Sequence, residues 1–247
     1  MSKFAHDTIV PFKDSELSKK QQVADMFDKI AFRYDFLNRF LSAGIDVSWR
    51  RKAIKQLKAL QPKNILDVAT GTGDVAILAE KMLHPVKITG IDISEGMLDI
   101  GRKKIGDLGL QNKIELLQGD SETMGFADNS FDAITVAFGV RNFQNLEKGL
   151  SEMLRVLRPG GKLVVLEFSR PKNIVFKTLY NFYMKIITPG VGKLIAKNKD
   201  AYEYLNESVQ RFPEGKNFID ILNKAGYRSA YYKALTLGIC SVYCGSK

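Results

Sequence analysis

The chain has 247 residues, which is enough for one full α/β domain with its own core and short for two ordinary ones. Hydrophobic residues make up 45% and charged residues 26%, and no run of about 18 apolar residues predicts a membrane-spanning helix. Two cysteines, Cys240 and Cys244, exclude a disulfide framework and fit a cytoplasmic location. The polar N-terminus argues against a secretory signal.

The net charge of +10 lies outside the middle of the chain. Residues 1–60 carry a net +5, residues 61–169 a net −3, residues 170–200 a net +6 and residues 201–247 a net +2. Basic surface is typical of proteins that bind nucleic acid or an anionic membrane, and it also serves solubility. The charge alone therefore leaves these partners open.

The hydrophobic pattern predicts elements in a regular order. Residues 1–60 read as helices, most clearly over 33–41 and 48–60. Strands and helices then alternate: strands are predicted over 64–69, 86–92, 113–120, 131–138 and 162–169, and helices over 74–83, 94–105 and 146–157. We expect Ser94 to cap the helix that follows it, and Pro159-Gly160-Gly161 to stop the helix over 146–157.

The end of the chain breaks the alternation. Residues 218–226 predict a helix closed by Gly226, and residues 227–246 predict two strands joined around Gly238. The whole pattern therefore predicts an α/β fold of the Rossmann-like type. The predicted sheet is mostly parallel and seven-stranded with right-handed crossovers, and the C-terminal hairpin adds an antiparallel strand to it.

A glycine-rich turn, Ala69-Thr70-Gly71-Thr72-Gly73-Asp74, follows the first predicted strand. Glycines at a strand-to-helix turn allow a ligand to approach the backbone closely. Gly71, Gly73 and Ala76 satisfy the dinucleotide pattern, and Asp92 ends the second strand nineteen residues after Gly73, where an acidic residue would hold ribose hydroxyls. A lone match of this kind is a weak signal for any one cofactor.

The carboxylates around the turn distinguish two cofactors. Asp67 and Asp74 flank the glycines and would repel a pyrophosphate, whereas S-adenosylmethionine has no phosphate and carries a sulfonium and an ammonium. Asp120 follows the third strand and can accept a hydrogen bond from an adenine amino group. Because strands of such sheets bind ligands at their carboxyl ends, the pattern favours S-adenosylmethionine. The alternative is that these aspartates only cap helices.

With this turn and the terminal hairpin, the chain resembles the class I S-adenosylmethionine-dependent methyltransferases. The resemblance implies that Asp67, Gly71, Thr72 and Gly73 surround the methionine part of the cofactor. It also implies that Asp92 holds the ribose, that Asp120 and Ser121 border the adenine, and that no metal takes part.

Four further segments resemble the ubiquinone/menaquinone biosynthesis C-methyltransferase family. They are YDFLNRFLSAGIDVSW (34–49), FGVRNF (138–143), RVLRPGGKLVVLEFSRP (155–171) and YEYLNESVQRFPEG (202–215). The resemblance covers nearly the whole chain from around Lys20 onward. One departure is Asp46, which stands where the family usually has a histidine, so any role of that histidine is in doubt here.

The family resemblance implies C-methylation of a reduced polyprenyl quinone precursor, most simply demethylmenaquinol, and leaves the matching benzoquinol open. A hydroxyl that loses its proton makes the adjacent ring carbon nucleophilic, and this carbon attacks the sulfonium methyl in line. Arg141 and Asn142 would help to activate the hydroxyl, and Tyr34 would bond the other oxygen. Arginine is a poor proton acceptor, so Arg141 would stabilise the phenolate or orient a water molecule.

Each of these residues has a simpler alternative role. Arg141 could be a surface ion-pair partner and Tyr34 a core packing residue, while Glu167 fits a general base and a structural hydrogen bond equally well. Three residues of the 202–215 segment are expected to line the acceptor pocket: Tyr204, Ser208 and Arg211.

The resemblance and the charge together predict one domain in four parts. These are an N-terminal helical cap (1–60), a cofactor-binding core (61–169), an insertion on the acceptor and membrane side (170–213), and the last helix with the hairpin (214–247). Residues 173–197 interleave apolar and aromatic side chains with lysines. They predict an amphipathic element at an anionic membrane surface, with an ordinary cap helix as the alternative.

Three other classes of protein fit the sequence less well. An RNA methyltransferase would usually show an Asn/Asp-Pro-Pro-aromatic motif after the fourth strand, where this chain has FGVRN. The carboxylates argue against a nicotinamide-dependent oxidoreductase, and the intact glycine turn against a non-catalytic lipid-binding protein. We therefore expect no nucleic-acid partner and a peripheral contact with the inner face of a membrane. The oligomeric state stays open, a homodimer included.

Overall fold

The computed structural model describes residues 4–42, 44–171 and 199–247. The helices of this part are α1 (Lys19–Leu41), α2 (Ile45–Ile54), α3 (Asp74–Leu83), α4 (Glu95–Asp107), α5 (Leu146–Val156), α6 (Lys199–Arg211) and α7 (Lys216–Lys224). The strands are β1 (Asn64–Val68), β2 (Lys87–Asp92), β3 (Ile114–Gln118), β4 (Phe131–Ala137), β5 (Leu157–Phe168), β6 (Arg228–Leu235) and β7 (Cys240–Ser246).

The described strands form one seven-stranded sheet in the order β3-β2-β1-β4-β5-β7-β6. Neighbours among β1 to β5 pair in parallel, whereas β7 runs antiparallel between β5 and β6. The predicted Rossmann-like sheet with its antiparallel C-terminal hairpin is therefore confirmed. The strand order reverses between β1 and β4, which is where open α/β sheets place their ligands.

Most predicted boundaries agree with the structure to within two residues. The helix α4 begins where predicted, because the hydroxyl of Ser94 accepts a hydrogen bond from the backbone N–H of Met97 at 3.2 Å. The helix α1 is longer than predicted and starts at Lys19, since Val23 and Met26 are buried and continue the apolar face toward the N-terminus. The helix predicted over 48–60 changes to a 3₁₀ helix at Lys55.

The fifth strand begins five residues earlier than predicted. It starts at Leu157, which pairs with Phe131, and its register shifts before Lys162 pairs with Ala133. The Pro159-Gly160-Gly161 run therefore lies inside the strand and does not end α5, which stops at Val156. Glycine permits this path because Gly160 has a φ of +78° and a Cβ on Gly161 would lie 2.8 Å from two backbone oxygens.

Two large hydrophobic clusters cover the two faces of the sheet. One contains buried side chains of α5 and α7, and the other contains those of α2, α3 and α4. The N-terminal segment also contributes, because His6 is fully buried beside Phe4 and Phe212. The polar sequence around His6 gives no sign of this burial, which lowers the pKa of the imidazole to about 4 and keeps it neutral at pH 7.

Two predictions about organisation are only partly addressed. Across residues 4–42, 44–171 and 199–247, no helix is long and apolar enough to cross a membrane. The division into four parts stays a prediction, and the predicted amphipathic insertion over 173–197 lies outside the described residues.

The contact between α4 and the glycine turn gives a test of the fold. A Cβ on Gly101 would lie 2.5 Å from Cδ1 of Leu116 and 3.0 Å from the carbonyl carbon of Thr72, whereas one on Gly106 would meet nothing within 4 Å. We expect Gly101→Ala to lower the free energy of unfolding by about 1–3 kcal/mol through overpacking. On the same helix, Gly106→Ala should raise it by about 0.5–1 kcal/mol. Denaturant unfolding measures both, and equal stabilisation by both changes would contradict the close approach.

Candidate active site

A cavity of about 660 Å³ lies at the carboxyl ends of β1 to β4, under α1. This volume includes space that is open to solvent. The cavity combines backbone glycines, carboxylates and aromatic rings. The residues that line it are Lys20, Val23, Phe27, Tyr34, Ala69, Gly71, Ile91, Asp92, Ile93, Met97, Gly119, Asp120, Ser121, Glu122, Ala137, Phe138, Gly139, Asn142, Phe143 and Gln144.

The turn after β1 is held from beneath by Asp67. Its carboxylate is 1% exposed and accepts hydrogen bonds from the hydroxyls of Thr70 at 2.6 Å and Thr135 at 2.5 Å. Burial raises the pKa of Asp67 to about 6, although both hydroxyls act in the opposite direction. Asp67 therefore links the turn to β4 and is not among the residues that line the cavity.

The two central strands end in residues with left-handed backbone. Ala69 follows β1 with a φ of +53°, and Phe138 follows β4 with a φ of +59°. Both line the cavity, and non-glycine residues in this conformation are uncommon and concentrate at functional sites. A Cβ on Gly139 would lie 2.5 Å from the Cβ of Ala69, so only glycine fits beside this turn.

Asp92 closes the turn from the side of β2. Its carboxylate accepts from the backbone N–H of Gly71 at 2.8 Å and of Ser94 at 2.9 Å, and it lines the cavity. Burial raises the pKa of Asp92 to about 6 against the opposing effect of these N–H groups.

At the end of β3, the carboxylate of Asp120 forms an ion pair with Lys20 of α1. Lys20 also lies 3.3 Å from Glu122, whose other oxygen accepts from the backbone N–H of Asn145. Burial acts to raise the pKa of Asp120, but the hydrogen bonds from Lys20 and from the N–H of Glu122 bring it below its usual value. Asp120 is therefore ionised at neutral pH.

The structure divides the predicted cofactor residues into two groups. Gly71, Asp92, Asp120 and Ser121 line the cavity, while Asp67, Thr72 and Gly73 lie behind its wall. Thr72 is 3% exposed, and its hydroxyl donates to Asp35 of α1 at 2.7 Å. Gly73 has a φ of +78° and begins α3, so its glycine serves the turn itself.

Two of the three predicted catalytic residues, Tyr34 and Asn142, line the cavity. The third, Arg141, lies behind the wall with 4% of its surface exposed. Its guanidinium donates to the carbonyl oxygen of Phe138 at 2.6 Å and to Glu167 at 2.7 Å. Arg141 is therefore a buried ion-pair partner, and its effect on the cavity passes through Phe138 and the adjacent Asn142.

Glu167 is fully buried at the end of β5. Burial raises the pKa of its carboxyl against the opposing charge of Arg141. One carboxylate oxygen bonds Arg141, while the other, Oε2, has no hydrogen-bond partner among the described residues, nor has Nε of Arg141. The described part of the protein therefore leaves one acceptor and one donor of this ion pair without a hydrogen bond.

The residues expected along the acceptor pocket separate in the same way. Tyr204 of α6 is buried and donates its hydroxyl to the side-chain oxygen of Asn142 at 3.1 Å, so it supports the wall. Ser208 is buried and donates to the carbonyl oxygen of Leu205, and Arg211 is exposed. Neither Ser208 nor Arg211 lines the described cavity.

Asp46, which departs from the family pattern, has a defined partner. It is 2% exposed and forms an ion pair with Arg50 one turn along α2. Arg50 also lies 3.9 Å from Asp74, and its guanidinium covers the ring of Phe138 at 5.8 Å. Asp46 therefore compensates a buried cation behind the cavity wall.

The sequence missed most of the apolar wall and all of the cavity residues of α1 before Tyr34. Lys20, Val23 and Phe27 recur at a spacing of three and four residues, and this spacing was the available signal for one helix face. Ile93 follows β2 and Met97 lies in the first turn of α4, and as apolar residues they resemble those that fill the core. Phe138 and Phe143 lie in the FGVRNF segment, where only Arg141 and Asn142 were singled out.

The residues present fit S-adenosylmethionine. Asp92 and Asp120 place carboxylates at the ends of adjacent strands, and the apolar side chains of Ile93 and Met97 line the same cavity. Carboxylates can accept from ribose hydroxyls and from an adenine amino group. The acidic wall suits a cationic ligand without phosphate, because Lys20 is the one basic residue that lines the described cavity, and it is already paired.

The fold and this cavity define a class I S-adenosylmethionine-dependent methyltransferase. Residues 15–247 match the model of the ubiE/COQ5 methyltransferase family, and the chain belongs to this family.

Relatives agree with this assignment, and a solved structure shows the same fold. The chain is 48% identical over 244 residues to a demethylmenaquinone methyltransferase of Bacteroides fragilis, and this match covers 99% of each protein. It is 47% identical over 230 residues to a ubiquinone/menaquinone biosynthesis C-methyltransferase of Geotalea daltonii, covering 93% of this chain and 97% of that protein. A crystal structure of an S-adenosylmethionine-dependent methyltransferase from Thermotoga maritima superposes with a TM-score of 0.61 at 20% identity, over 91% of this chain and 99% of the other.

The raised pKa of Asp92 predicts that cofactor affinity depends on pH. A folded pKa of about 6 against an ordinary 3.8 means that the folded, ligand-free protein holds this proton more tightly than the unfolded chain. The proton stabilises the fold at low pH, and this contribution is lost as the pH rises through 6. Because the ionised form is the better hydrogen-bond acceptor, we expect the Kd of S-adenosylmethionine to rise toward about tenfold per pH unit below 6.

Titration calorimetry between pH 5 and 8 measures this dependence. Asp92→Asn should bind the cofactor weakly throughout and without the step near pH 6. If the variant keeps the same step, another group causes it.

Proposed function

We propose that the protein transfers the methyl group of S-adenosylmethionine to a ring carbon of a reduced polyprenyl quinone precursor, most simply converting demethylmenaquinol to menaquinol. Family membership supports the reaction, and the relative from Bacteroides fragilis supports the naphthoquinol acceptor. The single structural observation that carries the proposal is the position of the FGVRNF segment. It follows β4 and lines the cofactor cavity with Phe138, Asn142 and Phe143.

S-adenosylmethionine, when bound, supplies an electrophilic methyl group. The protein must hold an aromatic ring in line with that methyl and stabilise the negative charge on the ring oxygen. Asn142 and Tyr34 are polar side chains of the wall that can bond the oxygens of the acceptor. Because Tyr204 donates to the oxygen of Asn142, the amide nitrogen of Asn142 faces away from Tyr204. This nitrogen donates one N–H to the carbonyl oxygen of Phe138 at 3.4 Å, and its second N–H can serve an acceptor oxygen.

Arg141 supplies positive charge from behind this wall. Its pair with Glu167 makes the buried site neutral before the acceptor loses a proton. The cation then attracts the phenolate through Phe138 and Asn142 without direct contact. We therefore propose Arg141 as a positioning and electrostatic residue, in place of a residue that faces the acceptor.

The membrane part of the proposal rests on sequence. The acceptor carries a prenyl chain, and the basic, aromatic-rich insertion over 173–197 suits a peripheral contact with anionic lipid. A location at the cytoplasmic face of the membrane, the absence of a nucleic-acid partner and the oligomeric state stay predictions.

Methyl transfer gives the direct test. We expect mass spectrometry to detect one added methyl on demethylmenaquinone when S-adenosylmethionine and dithionite are present, and none without the reductant, because only the quinol can form a phenolate. Transfer to the matching benzoquinol alone would move the acceptor to the ubiquinone series. Absence of transfer to both quinols would contradict the proposed reaction.

Replacing Arg141 tests its role. Arg141→Ala should leave cofactor binding largely unchanged and lower kcat by about 100-fold, since a preorganised charge is lost. It also leaves Glu167 buried without its partner, which costs about 3–5 kcal/mol of stability. The double variant Arg141→Ala with Glu167→Gln removes this cost and separates folding from catalysis. Near-normal kcat in the double variant would exclude an electrostatic role.

A further inference from the structure

One face of α1 forms the outer wall of the cofactor cavity. Lys20, Val23, Phe27 and Tyr34 line the cavity from this helix, opposite the ends of the strands. A ligand that fills the cavity is therefore enclosed between α1 and the sheet. Its entry and release require this wall to move or an opening beside it.

Three polar side chains fasten α1, each to a different loop at the carboxyl edge of the sheet. Lys20 pairs with Asp120 and Glu122 after β3. Further along the helix, Asp28 bonds the loop after β2, and Asp35 bonds the loop after β1. We call Lys20, Asp28 and Asp35 the three latches.

The second latch, Asp28, reaches the beginning of α4. Its Oδ1 accepts from the hydroxyl of Ser94 at 2.6 Å and from the backbone N–H of Gly96 at 3.0 Å. Ser94 also follows Asp92, whose carboxylate accepts from the N–H of Ser94. Asp28 is thereby linked through Ser94 to a carboxylate that lines the cavity.

The third latch, Asp35, reaches the glycine turn. Its Oδ1 accepts from the hydroxyl of Thr72 at 2.7 Å, and its Oδ2 lies 2.8 Å from Lys104. Lys104 also bonds Asp74 at the start of α3. The loops after β1, β2 and β3 are therefore each tied to one position on the same helix.

The apolar cluster under α1 is small. The buried side chains Val23 and Met26 of this helix belong to this third cluster with Tyr204, which is separate from the two clusters that cover the sheet. The side chains of Lys20 and Asp35 are each 29% exposed, and ion pairs of this exposure contribute little individually. A helix held by a few polar contacts and a small apolar cluster can open without unfolding the core.

We propose that α1 is the gate of the cofactor cavity, and that Lys20, Asp28 and Asp35 are positioning residues that keep it closed over the bound cofactor. The inference rests on cofactor binding in this cavity and does not depend on which quinol is methylated. Each latch holds the loop that carries one part of the cofactor site. The closing of α1 and the formation of a correctly shaped cofactor site therefore occur together.

A reversible crosslink tests the gate within one protein. A Cβ on Gly96 would lie 3.5 Å from Cα and 3.6 Å from Cγ of Asp28, and Gly96 has no left-handed φ. The double variant Asp28→Cys with Gly96→Cys therefore places two thiols close enough for a disulfide. The natural cysteines, Cys240 and Cys244, are buried.

The readout is the dissociation rate of S-adenosylhomocysteine, followed by stopped-flow displacement. After oxidation with oxidised glutathione, we expect bound S-adenosylhomocysteine to leave at least tenfold more slowly than from the wild type. After reduction it should leave faster than from the wild type, because the Asp28 latch is gone. Release at the wild-type rate from the fully oxidised protein would overturn the proposal.

Opening one latch gives an independent measurement. Asp35→Leu should raise the dissociation rate of S-adenosylhomocysteine about two- to fivefold and speed amide hydrogen exchange in α1, while Asp35→Asn, which keeps an oxygen for Thr72, should restore part of both. Asp25→Asn is the matched control, because Asp25 is an exposed aspartate of the same helix that lies outside the cavity wall. Faster exchange in α1 with unchanged dissociation would show that the helix opens without gating the cofactor.

Discussion

The position of the active site depends on one buried carboxylate. Asp67 cannot be left unpaired in the core, and the hydroxyls of Thr70 and Thr135 satisfy it from the turn after β1 and from β4. These bonds fix the turn against the neighbouring strand at the point where the sheet order reverses. Gly71 can then present its N–H to Asp92 on the opposite side. The cavity is the space that this arrangement leaves between the strand ends and α1.

The sheet could be predicted from the sequence because its signals are local. Short apolar runs, the cap at Ser94 and the turn at Gly238 each act through residues close in the chain, and the topology follows from the alternation. The errors lie where distant contacts decide. Lys19 begins α1 because Val23 and Met26 meet residues far along the chain, and Leu157 enters β5 because Phe131 is available to pair. Burial of His6 likewise depends on Phe212.

The cofactor side of the site was predictable to the extent that glycines and aspartates mark strand ends. Sequence could say that Asp67 and Asp92 lie at one edge, but not that Asp92 faces the cavity while Asp67 faces the core. The difference depends on where the hydrogen-bond donors lie, which are hydroxyls for Asp67 and backbone N–H groups for Asp92. The apolar wall was out of reach because residues such as Ile93 and Met97 differ from core residues only in what lies beside them. Such residues can be identified only when the fold and the neighbours of each side chain are known.

Two buried arginines near the site each have their own carboxylate. Arg50 pairs with Asp46, and Arg141 pairs with Glu167. Asp46, which stands where the family usually has a histidine, therefore supplies the counter-charge for the buried Arg50. A phenolate formed beside Asn142 must compete with Glu167 for the attraction of Arg141, unless Glu167 becomes neutral at the same time. Burial raises the pKa of Glu167 against the opposing charge of Arg141, and a proton taken up by Glu167 would leave Arg141 to attract the phenolate.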